Sequence, residues 1–217
     1  MEWETIGAFL EHVHGYGTYL IMRNYEELLD KGTSLQHADI DVLCDDARKF
    51  ISYNQLGART TDGDTVHRKA KIGGVWVAVD VREIGDGYFD RNWERAVLDA
   101  RVANDGFYVM AGADYFYTLL YHACVNKRHM PPDYQSRLKV MAEKNGIAYR
   151  ADRPRATLEA YMRSKRYRYE IPADGGVVFD LKGADRRLLR VDAGRILDRC
   201  GFWVKKAADK GRRLIHG

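Results

Sequence analysis

The 217 residues are enough for one domain with a substantial core, or for a core domain with a smaller appendage, and 46% hydrophobic with 30% charged residues is the make-up of an ordinary globular protein. No apolar run approaches the roughly 20 residues that cross a bilayer, and the opening Glu2-Trp3-Glu4 is unlike a secretion signal, so the expectation is a cytoplasmic protein with no transmembrane segment. The net charge of +4 hides an asymmetry: Lys182 to Gly217 carries 11 Lys+Arg against 4 Asp+Glu, while the preceding residues carry 24 against 27. Such a basic tail suits phosphate, nucleic acid, an anionic polymer or a membrane surface, and equally a solvated helix face. Cys44, Cys124 and Cys200 lack pairing or zinc-ligand spacing and read as reduced core residues.

Trp3, Ile6, Phe9, Leu10 and Val13 recur at helical spacing and predict an amphipathic helix from Met1 to Gly15. Tyr19 to Met22 reads as a buried strand ending in Arg23-Asn24. Asn24 is placed to cap a helical turn over Tyr25 to Leu29, which leaves Arg23 and backbone N–H groups at the strand exit as a phosphate cradle or as an ordinary strand-to-helix junction. A loop at Lys31-Gly32-Thr33-Ser34 leads to His37-Ala38-Asp39-Ile40-Asp41-Val42-Leu43. Its alternation makes a half-buried strand with Asp39 and Asp41 on one face. Paired carboxylates suit a hard cation such as Mg²⁺ together with substrate phosphates; the bland reading is a solvated strand edge.

Asp45-Asp46 predicts a capped helix through Ile51, closed near Gly57, with a turn-rich stretch from Thr60 to Asp64. Val66 to Ile72 and Val75 to Val81 flank Gly73-Gly74 and predict a hairpin. On its second strand Val75, Val77, Val79 and Val81 alternate with Trp76, Ala78, Asp80 and Arg82. Asp80 either pairs with Arg82 or Lys69 on a wet face or stands as a third carboxylate beside Asp39 and Asp41. Beyond the Gly85-Asp86-Gly87 turn the pattern predicts a helix over Tyr88 to Asn104, an extended segment over Phe107 to Met110, and an apolar helix over Ala113 to Val125. His122 on that helix reads as a core histidine, while Lys127 and Arg128 suit the helix C-terminus. After the break at Pro131-Pro132 come helices over Tyr134 to Lys144 and Leu158 to Arg163 and strands over Tyr167 to Pro172 and Val177 to Asp180. Helices over Arg186 to Cys200 and Phe202 to Ile215 complete the chain, and no exposed apolar heptad stands out.

The run Leu20-Ile21-Met22-Arg23-Asn24-Tyr25-Glu26, then Asp39-Ile40-Asp41-Val42-Leu43, then Val79-Asp80-Val81 resembles the nucleotidyltransferase superfold of DNA polymerase beta type. The likeness is closest to bacterial nucleotidyltransferase-like proteins linked to surface polysaccharide synthesis, and it extends to Phe116 to Ala123 followed by Lys127. It implies an α+β protein: a nucleotidyltransferase-like mixed β-sheet flanked by helices over 1–110, a helical region over 111–150 and a small basic α/β region over 151–217. It also implies Asp39, Asp41 and Asp80 as catalytic ligands of Mg²⁺ or Mn²⁺, with Arg23, Asn24 and Lys127 binding nucleotide phosphates. The activity implied is transfer of a nucleotidyl or phospho-alcohol group from a nucleotide donor to a hydroxyl acceptor such as a glycan. Where the superfold carries Gly-Ser, this chain has Arg23-Asn24. The alternative is therefore a catalytically inactive module that binds RNA or an anionic glycan through the basic tail. Tyr161, Tyr167 and Tyr169 interleave with Arg163, Arg166 and Arg168, but a surface strand explains them more simply than nucleic-acid stacking.

Overall fold

The computed structural model describes residues 1–29, 39–59 and 66–216. The chain forms two compact units, one of Met1–Ile84 with Asn92–Tyr115 and one of Gly85–Arg91 with Phe116–Gly217. The predicted loop at Lys31-Gly32-Thr33-Ser34, the residues His37-Ala38 and the stretch from Thr60 to Asp64 lie outside the described residues.

The first unit is built on a mixed sheet, which makes the protein α+β. Its strands are β1 (Glu2–Trp3), β2 (Tyr19–Ile21), β3 (Asp39–Cys44), β4 (Gly57–Ala58), β5 (His67–Ile72), β6 (Val75–Glu83), β7 (Val102–Asn104) and β8 (Phe107–Val109). They lie in the order β1-β5-β6-β3-β2-β8-β7, with β4 also on β5. Alternation sets the two faces. Tyr19, Ile21, Ile40, Val42, Val77, Val79 and Val81 bury one face against α1 (Ile6–His14) and, beyond the short α2 (Tyr25–Leu29), α3 (Ala47–Tyr53), and Phe9, Leu10 and Val13 of α1 and Phe50 of α3 project into the same cluster. The intervening residues of β3 and β6, including Asp39, Asp41 and Asp80, lie on the other face.

Turn chemistry fixes the register. Gly73 and Gly74 both take positive φ, the conformation of a two-residue hairpin turn, and Ile72 pairs with Val75. Asp105 and Gly106 do the same between β7 and β8. That Asp-Gly pair is why the helix expected over Tyr88 to Asn104 stops early: α4 spans Arg91–Asp99, and the chain then turns into a strand. At the start, Trp3 is not helical but pairs with Ile72 on β1, because Thr5 caps α1 by accepting from the Ala8 N–H at 3.1 Å. Asp46 caps α3 as expected, accepting from the Lys49 N–H at 3.0 Å, but the helix closes at Asn54 rather than near Gly57, which belongs to β4.

The second unit is helical. α5 (Gly112–Val125) contributes its residues from Phe116 onward, followed by α6 (Pro132–Lys144), α7 (Pro154–Lys165), a 3₁₀ turn over Arg186–Leu188 and α8 (Ala193–His216). Leu119, Leu120, Tyr121, Leu138, Leu158 and Met162 are buried there. His122 is a core histidine, its Nδ1 2.6 Å from the Tyr88 hydroxyl. The strands expected over Tyr167 to Pro172 and Val177 to Asp180 are not formed: one isolated bridge, Tyr169 to Leu189, stands in their place. Side-chain anchors hold this stretch instead. Glu159 accepts from the Tyr169 hydroxyl at 3.1 Å and from the Asp185 N–H at 2.8 Å. Of the cysteines, Cys44 is buried, but Cys200 is exposed on α8, against the core reading.

Candidate functional site

The site grows from the pairing of β3 with β6. These strands run parallel with Asp41 directly beside Asp80 and Asp39 beside Ala78, so the three carboxylates share one side of the sheet. The hairpin register adds a fourth group, because His67 on β5 lies opposite Asp80. Asp41 is almost wholly buried and Asp80 nearly so, while Asp39 at the strand start is about half exposed.

Three cationic or ionisable side chains meet these carboxylates. The Arg23 guanidinium donates to Asp41 Oδ1 at 2.8 Å and is itself largely buried. Arg59, just after β4, reaches Asp80 Oδ1 at 3.4 Å and Asp39 Oδ1 at 4.0 Å, bridging the two strands. His67 Nε2 lies 3.9 Å from Asp80 Oδ2. The balance does not fully favour the ionised Asp80. Burial and the neighbouring Asp39 and Asp41 charges push its carboxyl up to about 6, against the smaller pull of His67 and Arg82.

The expected residues separate into two sets. Asp39, Asp41, Asp80 and Arg23 are brought together. Asn24 is instead a backbone hinge: it takes a left-handed conformation at φ 57°, and its N–H donates to the Tyr115 hydroxyl at 3.4 Å. Lys127 is exposed in the bend that follows α5 and belongs to the second unit. The expected Asp80 partner Lys69 pairs across the hairpin with Ala78 and lies over the Trp76 ring, whereas the positive charge of Arg82 pulls the Asp80 carboxyl down.

Sequence reasoning passed over Arg59 and His67. His67 had a signal: a two-residue Gly73-Gly74 turn that pairs Ile72 with Val75 necessarily pairs His67 with Asp80. Arg59 had none, since it reaches the site through β4, a two-residue strand placed on β5 by tertiary pairing.

The donor set consists of carboxylate oxygens on adjacent strands, the kind a hard divalent cation takes. Among the described residues no three His, Cys, Asp or Glu side chains stand in ligating arrangement, the carboxylates being turned toward Arg23 and Arg59. The donors fit Mg²⁺ in kind, and a cation there would offset the Asp39 and Asp41 charges that add to burial in raising the Asp80 carboxyl. No family model, curated protein or solved structure matches the chain.

Proposed function

We propose that the protein is a Mg²⁺-dependent transferase of nucleotidyltransferase type, acting in the cytoplasm. It moves a nucleotidyl or phospho-alcohol group from a nucleotide donor to a hydroxyl acceptor, with a glycan among the candidate acceptors. The observation that carries this reading is the placement of Asp39, Asp41 and Asp80 on one side of two adjacent parallel strands, with Arg23 and Arg59 against them. Asp39, Asp41 and Asp80 are the residues that would hold Mg²⁺ or Mn²⁺. When bound, such a cation supplies positive charge to the donor phosphates and lowers the pKa of a coordinated hydroxyl.

The chain's own residues have separable tasks. Asp80, beside Asp41 on the neighbouring strand, would complete the cation's ligand set and so help to activate an acceptor hydroxyl. Arg23, anchored at the exit of β2, offers a fixed guanidinium to a phosphate oxygen. Arg59, less buried and bonded at longer distance, is the group best able to trade its carboxylates for a donor phosphate. The Gly-Ser cradle of the superfold is replaced by Arg23-Asn24, so side-chain charge takes the place of backbone N–H groups in this reading.

The alternative of an inactive module binding RNA or an anionic glycan draws on the basic tail, but much of that charge is already committed. Arg190 and Arg195 bind Glu170, Arg187 binds Asp185, and Arg199 donates to backbone carbonyls.

Isothermal titration of Mg²⁺ or Mn²⁺, with and without ATP and CTP, tests the proposal on wild type and on Asp39→Ala/Asp41→Ala. Metal-dependent nucleotide binding that disappears in the double variant is expected. Equal, negligible heats in both proteins would move the assignment to the binding module.

A further inference from the structure

α8 spans Ala193–His216, about 36 Å at 1.5 Å per residue. At 100° per residue Arg195, Asp198 and Arg199 fall within about 100° of one another, away from Ile196, Leu197, Trp203 and Val204. An amphipathic helix on a globular protein ordinarily turns its apolar side inward. Here the polar side is the one docked. Arg195 donates to Glu170 at 3.2 Å, to the Ile171 carbonyl at 3.0 Å and to the Gly85 carbonyl. One turn on, Arg199 donates to the carbonyls of Asp174 at 2.9 Å and Val177 at 3.0 Å. Phe202, on the same side, lies so close to Gly175 that a Cβ there would overlap its ring.

The apolar side consequently faces away from the unit that carries it. Leu197 is 71% exposed, Val204 69%, Trp203 51% and Ile196 41%, and Cys200 between them is exposed as well. Besides the docked Arg195 and Arg199, the sequence from Ala193 to His216 carries five Lys+Arg against two Asp.

We propose that α8 lies on an anionic lipid surface, with Leu197, Trp203 and Val204 in the acyl boundary and the excess lysines and arginines of its sequence drawing it to the headgroups. Charge selects this occupant. A second copy would bring an equal positive excess alongside, whereas anionic headgroups neutralise it while the acyl region takes the exposed side chains. The helix lies on the surface and does not cross it: among the described residues no helix is long and apolar enough to span a membrane. Because the docked arginines and Phe202 hold α8 by its polar side, the apolar side is presented without unfolding anything.

Co-sedimentation of the full chain with vesicles tests this, comparing phosphatidylglycerol mixed into phosphatidylcholine with phosphatidylcholine alone. Wild type is expected to pellet with the anionic vesicles only. Leu197→Glu/Val204→Glu, at exposed positions and with an unchanged melting curve, is expected to bind at least about tenfold more weakly. Lys205→Glu/Lys210→Glu, which leaves the apolar side intact, is expected to lose binding as well. Equal pelleting by Leu197→Glu/Val204→Glu would overturn the proposal, as would equal pelleting with neutral vesicles. Absence of pelleting, with a dimer by light scattering that Leu197→Glu/Val204→Glu dissolves, would overturn it and give the face to a second copy. None of these outcomes depends on Asp39, Asp41 or Asp80, so the transferase reading stands or falls separately.

Discussion

Asp80 in the sheet unit and Glu170 in the helical unit are both carboxylates met by arginines, yet their surroundings are opposite in kind. Glu170 is almost fully buried, and two guanidiniums close on it: Arg190 at 2.6 Å on one oxygen and Arg195 at 3.2 Å on the other, with the Arg91 N–H at 3.4 Å. Asp80 shares one arginine with Asp39, at 3.4 and 4.0 Å, and faces Asp41 across the strand pair. Two cations around one carboxylate make an anchor that fixes Leu189–Asp192 and the start of α8. Three carboxylates that share Arg23 at 2.8 Å and the more distant Arg59 make a place that still attracts positive charge. A cluster's composition therefore says less than its balance of charge.

The largest effect should come from breaking the anchor. Glu170→Ala leaves the Arg195 guanidinium mostly buried without its carboxylate and is expected to cost about 3 kcal/mol, read as a lowered urea midpoint at unchanged slope. Mg²⁺ titration of the same variant should match wild type. A stability loss under 1 kcal/mol would show that the carbonyl bonds of Arg195 hold the segment alone.

The opposite sign is expected at Asp80. Its folded carboxyl, near 6, lies above the ordinary 3.8, so between these values the folded protein binds more protons than the unfolded chain. Without divalent cation, stability should fall as pH rises from about 4 to about 6 and then level off. Asp80→Asn should remove that slope and raise stability at pH 7 by about 2 kcal/mol. Chemical denaturation at pH 4.5 and 7 in the presence of a chelator measures both. A destabilised Asp80→Asn would erase the contrast with Glu170.

The smallest effect is a refinement. His67 pulls the Asp80 carboxyl downward, so His67→Gln should raise its titration midpoint further, followed by carbon NMR of the Asp80 side chain. An unmoved midpoint would leave Arg82 as the counter-charge that holds the Asp80 carboxyl down.

How far these features can be read from sequence depends on whether local chemistry fixes them. The β3 alternation, the Gly73-Gly74 hairpin and the Asp46 cap each follow from residues a few positions apart, and each is present. Asp105-Gly106 is equally local, but the helical period of Phe89, Trp93 and Val97 extends the expected helix up to it, over the residues that form β7. The alternation of Tyr and Arg over Tyr167 to Tyr169 suggested a strand, but a strand needs a neighbour, and Tyr169 finds only Leu189. For α8 the sequence carries two segregated faces and no indication of which is docked. That was settled by Glu170 and a run of carbonyls, which bond arginine and cannot bond leucine.

The outer edge of β5 has a further consequence. Its Arg68 and Lys69 pair with β4 and its Lys71 and Ile72 with β1, two strands of two residues each, and the Lys71 ammonium binds Glu2 at 2.9 Å. At the far end the last strand, β7, is three residues long. Open ladders of unpaired N–H and C=O groups invite the strands of other molecules, and short charged strands give them little to zip onto. The sheet should therefore resist fibril growth, so that unfolding intermediates released at high concentration precipitate through exposed apolar surface before they stack strand upon strand.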